Sequence, residues 1–146
     1  MGSGKSAPWT LDPQLAGDTL AVGDLPLSRL LLNDDANYPW LILAPRRPGA
    51  VELIDLEQAD RAQLMDEIAE VSAALKRLTQ CHKLNVAALG NVVAQLHVHV
   101  IARFRDDAAW PSPVWGKAPR RSYAADIRER LLADLREALP MRPPEA

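Results

Sequence analysis

The chain has 146 residues, with 17 Lys plus Arg, 19 Asp plus Glu and a formal net charge of −2. A charge this small argues against a surface built for nucleic acid or an anionic membrane. The single cysteine, Cys81, excludes an internal disulfide framework, and no apolar run approaches the ~20 residues of a transmembrane helix. With 48% apolar and 25% charged residues, the expectation is one soluble, cytoplasmic domain over 1–146. Within it, 1–8 reads as a flexible start and 141–146 as a C-terminal tail.

Met1 to Ala7 is small and polar, the pattern of a loose end. Gly4-Lys5-Ser6 has the look of the end of a phosphate-binding loop, but the full pattern needs a further glycine five residues earlier. Met1 to Ser6 also fits an N-myristoylation pattern, with no polybasic patch to supply a second anchoring signal. Thr19–Val22 and Arg29–Leu32 flank Gly23-Asp24 and predict a hairpin. Trp40–Ala44, closed by Pro45, is too short for a typical helix and predicts a buried strand.

The 12 prolines leave 49–110 and 120–139 free, so long elements belong there. Asp55 to Gln80 predicts the strongest helix. Leu64, Ile68, Val71, Leu75 and Leu78 line one face, and Asp66, Glu67, Glu70 and Lys76 fall mostly elsewhere. Asp55 and Gln58 resemble a capping box. Leu84–Leu89 and Gln95–Phe104 predict strands. A second helix from about Tyr123 to Leu139 carries the stripe Ile127, Leu131, Leu135, Leu139, with Ser122 as cap and Pro140 as stop. Strands on both sides of a helix imply an α+β fold, with a mainly antiparallel sheet and helices on one face.

The chemistry gathers in Gln95-Leu96-His97-Val98-His99-Val100-Ile101-Ala102. On a strand, side chains alternate, so Gln95, His97 and His99 share one face and Leu96, Val98 and Val100 the other. Alternate residues stand roughly 6.5–7 Å apart along a strand. Paired imidazoles suit zinc, but a site needs a third ligand. Nothing brings His82 near, and Asp106 and Asp107 are the better candidates. Imidazole is equally a nucleophile toward phosphorus once a hydrogen bond fixes its tautomer, and a second imidazole can stabilise developing charge.

QLHVHVIA resembles the signature of the histidine triad family, alternating His with apolar residues. His97 stands at the middle histidine and His99 at the last, with Gln95 where the first would be. Leu30-Leu31-Leu32-Asn33, the following turn and Trp40-Leu41-Ile42-Leu43-Ala44-Pro45-Arg46 are similar to the family's first half. The likeness runs from about Thr19 to Pro113. It implies an α+β fold with an antiparallel sheet of about five strands and two main helices, a homodimer, and a nucleotide-phosphate site that needs no metal or cofactor. His97 is then the nucleophile on an α-phosphate, and a backbone carbonyl in the same strand holds its other ring nitrogen. His99 contacts the phosphoryl oxygens, Asn33 the ribose, and Asn91, Gln95 and Arg103 complete the nucleotide site. The implied substrate is a dinucleoside polyphosphate or nucleoside phosphoramidate, adenine favoured.

The sequence departs from the family at Gln95 and at Trp40, where members often carry a second histidine. It also lacks a hydroxyl residue in Asn91-Val92-Val93-Ala94. Gln bonds but does not titrate. A catalytically weak nucleotide-binding module and a metal-dependent hydrolase therefore stand as alternatives. Trp110 and Trp115, in a proline-rich loop, either cover the site or anchor the loop and dimer edge. Arg120-Arg121 reads as a solvated turn.

Overall fold

The computed structural model describes residues 7–145. The Gly4-Lys5-Ser6 and myristoylation patterns lie outside the described residues. In chain order the elements are α1 (Pro13–Asp18), β1 (Thr19–Asp24), β2 (Ser28–Asn33), β3 (Trp40–Pro45), a 3-10 turn (Leu53–Asp55), α2 (Gln58–Thr79), β4 (Lys83–Ala87), β5 (Val98–Arg103) and α3 (Ala125–Ala138). The five strands form one sheet in the order β1-β2-β3-β5-β4, and every neighbouring pair is antiparallel. The fold is α+β, as the sequence implies. Among the described residues, no helix is long and apolar enough to cross a membrane.

Alternation divides the central strands between two apolar layers. Leu41, Leu43, Val100 and Ala102 pack with Val71, Leu75, Leu132 and Leu135 of the long helices. Ile42, Trp40 and Ile101 face the other way, toward Leu15, Tyr38, Val93 and Val114. Leu96 and Val98 meet Leu64 and Leu56 in a third cluster. The histidine-bearing face is thus the one the long helices leave uncovered.

Several local expectations change. The β1–β2 chain reversal falls at residues 25–27, because pairing continues through Asp24 and Arg29. Asp55 closes the 3-10 turn instead of capping α2, its carboxylate accepting from the N–H groups of Val51 and Glu52. Glu57 is the N-cap of α2, without a side-chain bond. Leu78 is exposed, whereas Glu67 is fully buried. Its carboxylate accepts from the backbone N–H of Leu27 (2.7 Å) and Ser28 (3.0 Å), so α2 ties down the β1–β2 turn. In α3 the inward residues are Leu132 and Leu135, with Leu139 just beyond, and Ile127 is exposed. Ser122 does not cap it; Ala124 holds the N-cap position.

The segment beyond Pro140 returns along β1. Asp24 and Arg142 exchange backbone hydrogen bonds of 2.8 and 3.0 Å. A Cβ on Gly23 would sit 3.0 Å from the Arg142 carbonyl oxygen, so the close approach requires glycine there. At the other end Trp9 lies under the Arg29 guanidinium, 5.3 Å from its ring centroid.

Candidate active site

His97 immediately precedes β5 and His99 is its second residue. Both are buried, and their ring centroids stand 4.9 Å apart at 72°. The His97 Nδ1–H donates to the Gln95 carbonyl oxygen at 2.7 Å. A carbonyl only accepts, so Nδ1 carries the proton, and in the neutral ring Nε2 keeps its lone pair.

His99 faces a different partner. The Trp40 indole N–H donates to its Nδ1 at 2.9 Å. The pairing Ile42↔His99 and Trp40↔Ile101 puts Trp40 one alternate position along β3 from the residue opposite His99. Trp115 closes the same wall, edge-on to His99 at 5.1 Å and to Trp40 at 5.5 Å. Burial, reinforced by the neighbouring His97, pushes the His99 imidazolium down to about 4. His99 is therefore neutral at neutral pH.

A cleft of about 270 Å³ opens on this face, lined by Leu15, Asn33, Trp40, Ile42 and Trp115 together with both histidines. A second hollow of about 210 Å³ lies on the other side of His97, lined by Val51, Leu53, Leu89 and Gln95 among others. His97 borders both. The larger one approaches the lower end of small-molecule pocket volumes, roughly 300–1,000 Å³.

The remaining sequence candidates divide. Asn33, at the end of β2, is buried in the cleft wall, and its Oδ1 accepts from Arg120 Nη2 at 3.2 Å. Asn91 lines the cleft rim. Gln95 borders the smaller hollow, but β5 begins only at Val98 and its side chain leaves the histidine face. Its Oε1 accepts from the Asp12 N–H and its Nε2 donates to the Thr10 carbonyl, both at 2.8 Å. Arg103 is absent from the cleft lining. It is buried in an ion pair with Asp107 (2.8 Å), and it donates to Asn85 Oδ1 and the Ser112 carbonyl. That commitment fixes the loop after β5 and keeps Arg103 out of the cleft.

The same ion pair occupies Asp107. Burial works against its charge, but the Arg103 guanidinium and the N–H groups of Phe104, Ala109 and Trp110 bring its carboxyl down to about 2. His82 packs against Trp110 at 5.3 Å. Among the described residues, no three His, Cys, Asp or Glu side chains form a metal-ligating group. The two loop tryptophans thus have separate places: Trp110 anchors the loop over Arg103 and Trp115 walls the cleft.

Two contributors escape the sequence reading. Arg120 is exposed, as expected of a solvated segment, but it also lines the cleft and binds the carbonyls of Asp18 and Asp34 as well as Asn33. Helix α1 supplies Gln14, Leu15 and Asp18 to the lining. Asp12-Pro13 is its signal, since Asp12 Oδ1 accepts from the Gln14 N–H and Pro13 begins the helix.

An antiparallel five-stranded sheet that sets two adjacent imidazoles in a cleft defines a histidine triad type of site, and comparison with known proteins agrees. The family model described as HIT domain matches residues 15–106. This chain belongs to the HIT domain family. It is 32% identical over 139 aligned residues to an AP-4-A phosphorylase of Mycobacterium tuberculosis, covering 86% of this chain and 68% of that protein. A histidine triad protein from Bradyrhizobium japonicum superposes with a TM-score of 0.89 at 55% identity, covering 90% of this chain and 98% of that one. One from Marinobacter aquaeolei superposes at 0.88 with 39% identity, covering 91% and 97%.

Proposed function

We propose that this protein is a nucleotidyl hydrolase or transferase of the histidine triad type, acting through a nucleotidyl intermediate on His97. The observation that carries the reading is the 2.7 Å bond from His97 Nδ1–H to the Gln95 carbonyl. It directs the Nε2 lone pair away from the backbone, at the junction of two hollows. The nucleoside occupies the larger cleft, its base against Trp115 and Ile42 and its ribose hydroxyls at Asn33. An adenine base suits that aromatic and aliphatic wall. The leaving group occupies the smaller hollow.

In the first step Nε2 bonds to the α-phosphorus as the bond to the leaving oxygen breaks. In the second, water bonds to that phosphorus, the P–Nε2 bond breaks and the water proton passes to solvent. His99 faces the phosphoryl oxygens, where charge develops. Gln95 does not titrate, so it supplies no proton to a leaving group, and bonds to Thr10 and Asp12 hold its amide toward the N-terminal segment. A polyphosphate departs as an anion without a proton, whereas an amine needs one. The site therefore favours dinucleoside polyphosphates over phosphoramidates, and the Mycobacterium tuberculosis relative bears a name of the first kind.

The same reading carries a homodimer. Among the described residues β4 is an outer strand with an unpaired edge, and Val86, Leu89 and Val92 on or beside it are exposed. Sedimentation at micromolar concentration tests this, a dimer mass being expected and a monomer mass counting against it.

The activity test pairs calorimetry with adenosine monophosphate and a turnover assay on diadenosine tetraphosphate. Binding with turnover, lost in His97→Asn, supports the enzyme. Binding without turnover leaves the binding module, which the commitment of Gln95 favours. No binding removes both.

A further inference from the structure

The histidine pair holds its hydrogen bonds in opposite senses. His97 Nδ1 meets an acceptor, the Gln95 carbonyl. His99 Nδ1 meets a donor, the Trp40 indole. An indole N–H has no acceptor capacity. Nδ1 of His99 must therefore keep its lone pair, and the ring's single proton lies on Nε2.

We propose that Trp40 is a positioning residue: its indole N–H fixes His99 as the Nε2–H tautomer, so that His99 meets the phosphoryl group only as a hydrogen-bond donor. This rests on the nucleotidyl-transfer reading above. Two adjacent imidazoles thereby take different roles, one a lone pair aimed at phosphorus and the other an N–H for the oxygens. Without such sorting, either ring could hold its proton on either nitrogen, and part of the population would aim two lone pairs at an anionic phosphate.

Trp40 is built to hold this direction. It is buried, it begins β3 and pairs there with Ile101, and its ring is wedged edge-on between Tyr38 (6.3 Å) and Trp115 (5.5 Å). An imidazolium at His99 would set an Nδ1–H against the indole N–H, so the contact opposes charging of His99 in the same direction as its burial. The donor on Nε2 is then in place before the nucleotide arrives, and no proton has to move on His99 during the reaction.

The test uses nitrogen-15-labelled protein without nucleotide. The expected result is a scalar coupling across the hydrogen bond between Trp40 Nε1 and His99 Nδ1, with the His99 proton on Nε2. A His99 proton on Nδ1, or no coupling, overturns the assignment. Trp40→Phe keeps the aromatic packing and removes the donor. It should abolish the coupling and lower kcat on the order of tenfold, the size of one hydrogen bond, with KM changed far less. An unchanged kcat in folded Trp40→Phe also overturns the proposal, as does a change confined to KM. Because the coupling is read without substrate, it can fail while His97 still forms its nucleotidyl adduct, and it can persist if no adduct forms.

Discussion

Gln95 and Asp12 are joined across 83 positions of sequence: the Gln95 Oε1 accepts from the Asp12 backbone N–H at 2.8 Å. With the bond from Gln95 Nε2 to the Thr10 carbonyl, the side chain acts as a short piece of backbone ladder. It docks the segment that leads into α1, and α1 supplies part of the cleft wall. An imidazole has one donor and one acceptor on a rigid five-membered ring and does not reproduce this amide geometry.

Gln95→Ala should therefore loosen that segment more than it disturbs the chemistry. Two hydrogen bonds of roughly 0.5–1.5 kcal/mol each are lost. Hydrogen exchange at the Asp12 and Gln14 amides should quicken about tenfold or more, and nucleotide KM should rise. Unchanged exchange would show that the segment is held by other contacts.

Glu67 makes a similar long connection from α2. Its buried carboxylate satisfies two backbone N–H groups of the β1–β2 turn. Glu67→Ala leaves both donors buried without a partner, a loss of about 2–4 kcal/mol in urea unfolding. Glu67→Gln keeps one acceptor and should lose less. Equal losses in the two variants would mean that volume rather than hydrogen bonding sets the effect.

Stability should fall with acid in two stages. His99 binds its proton at about 4 in the folded chain, against 6.5 for an ordinary histidine. The unfolded chain takes up that proton first, so stability declines as pH drops from about 6.5 toward 4. The full effect is on the order of 3 kcal/mol. Asp107 is depressed to about 2 from 3.8, and its contribution, present above 3.8, is lost as pH falls through 2. That second stage is on the order of 2 kcal/mol. Burial opposes the charge on Asp24, but Arg29 and the Glu145 N–H outweigh it and lower its carboxyl, which adds in the same direction. Urea titrations across pH should show the upper stage vanish in His99→Gln and the lower stage shrink in Asp107→Asn. A flat profile between pH 7 and 4 would contradict the buried neutral state of His99.

The histidine pair was legible because period-two alternation needs only neighbouring residues. So were β3, whose apolar run is uninterrupted, and the inward face of α2 through Leu64, Val71 and Leu75. What the sequence hid depends on partners far along the chain. Glu67 looks like a solvent-facing charge until Leu27 and Ser28 arrive beside it, 40 and 39 positions away. Arg103 invites a phosphate, yet the loop folds Asp107 and the Ser112 carbonyl onto its guanidinium. Arg120 finds Asn33 only across 87 positions. Ile127 keeps the helical period of α3 yet is exposed. Trp40 counts as a missing histidine in the sequence; only the fold turns its N–H toward His99.

The central claim is that His97 carries the nucleotidyl group. The most direct measurement is rapid-quench mass spectrometry of the His97 peptide during turnover of diadenosine tetraphosphate. The account predicts an adenylyl mass on His97 that forms and decays at rates compatible with turnover, and that is absent from His97→Asn. Turnover with no adduct on His97, or an undiminished rate in His97→Asn, would contradict it.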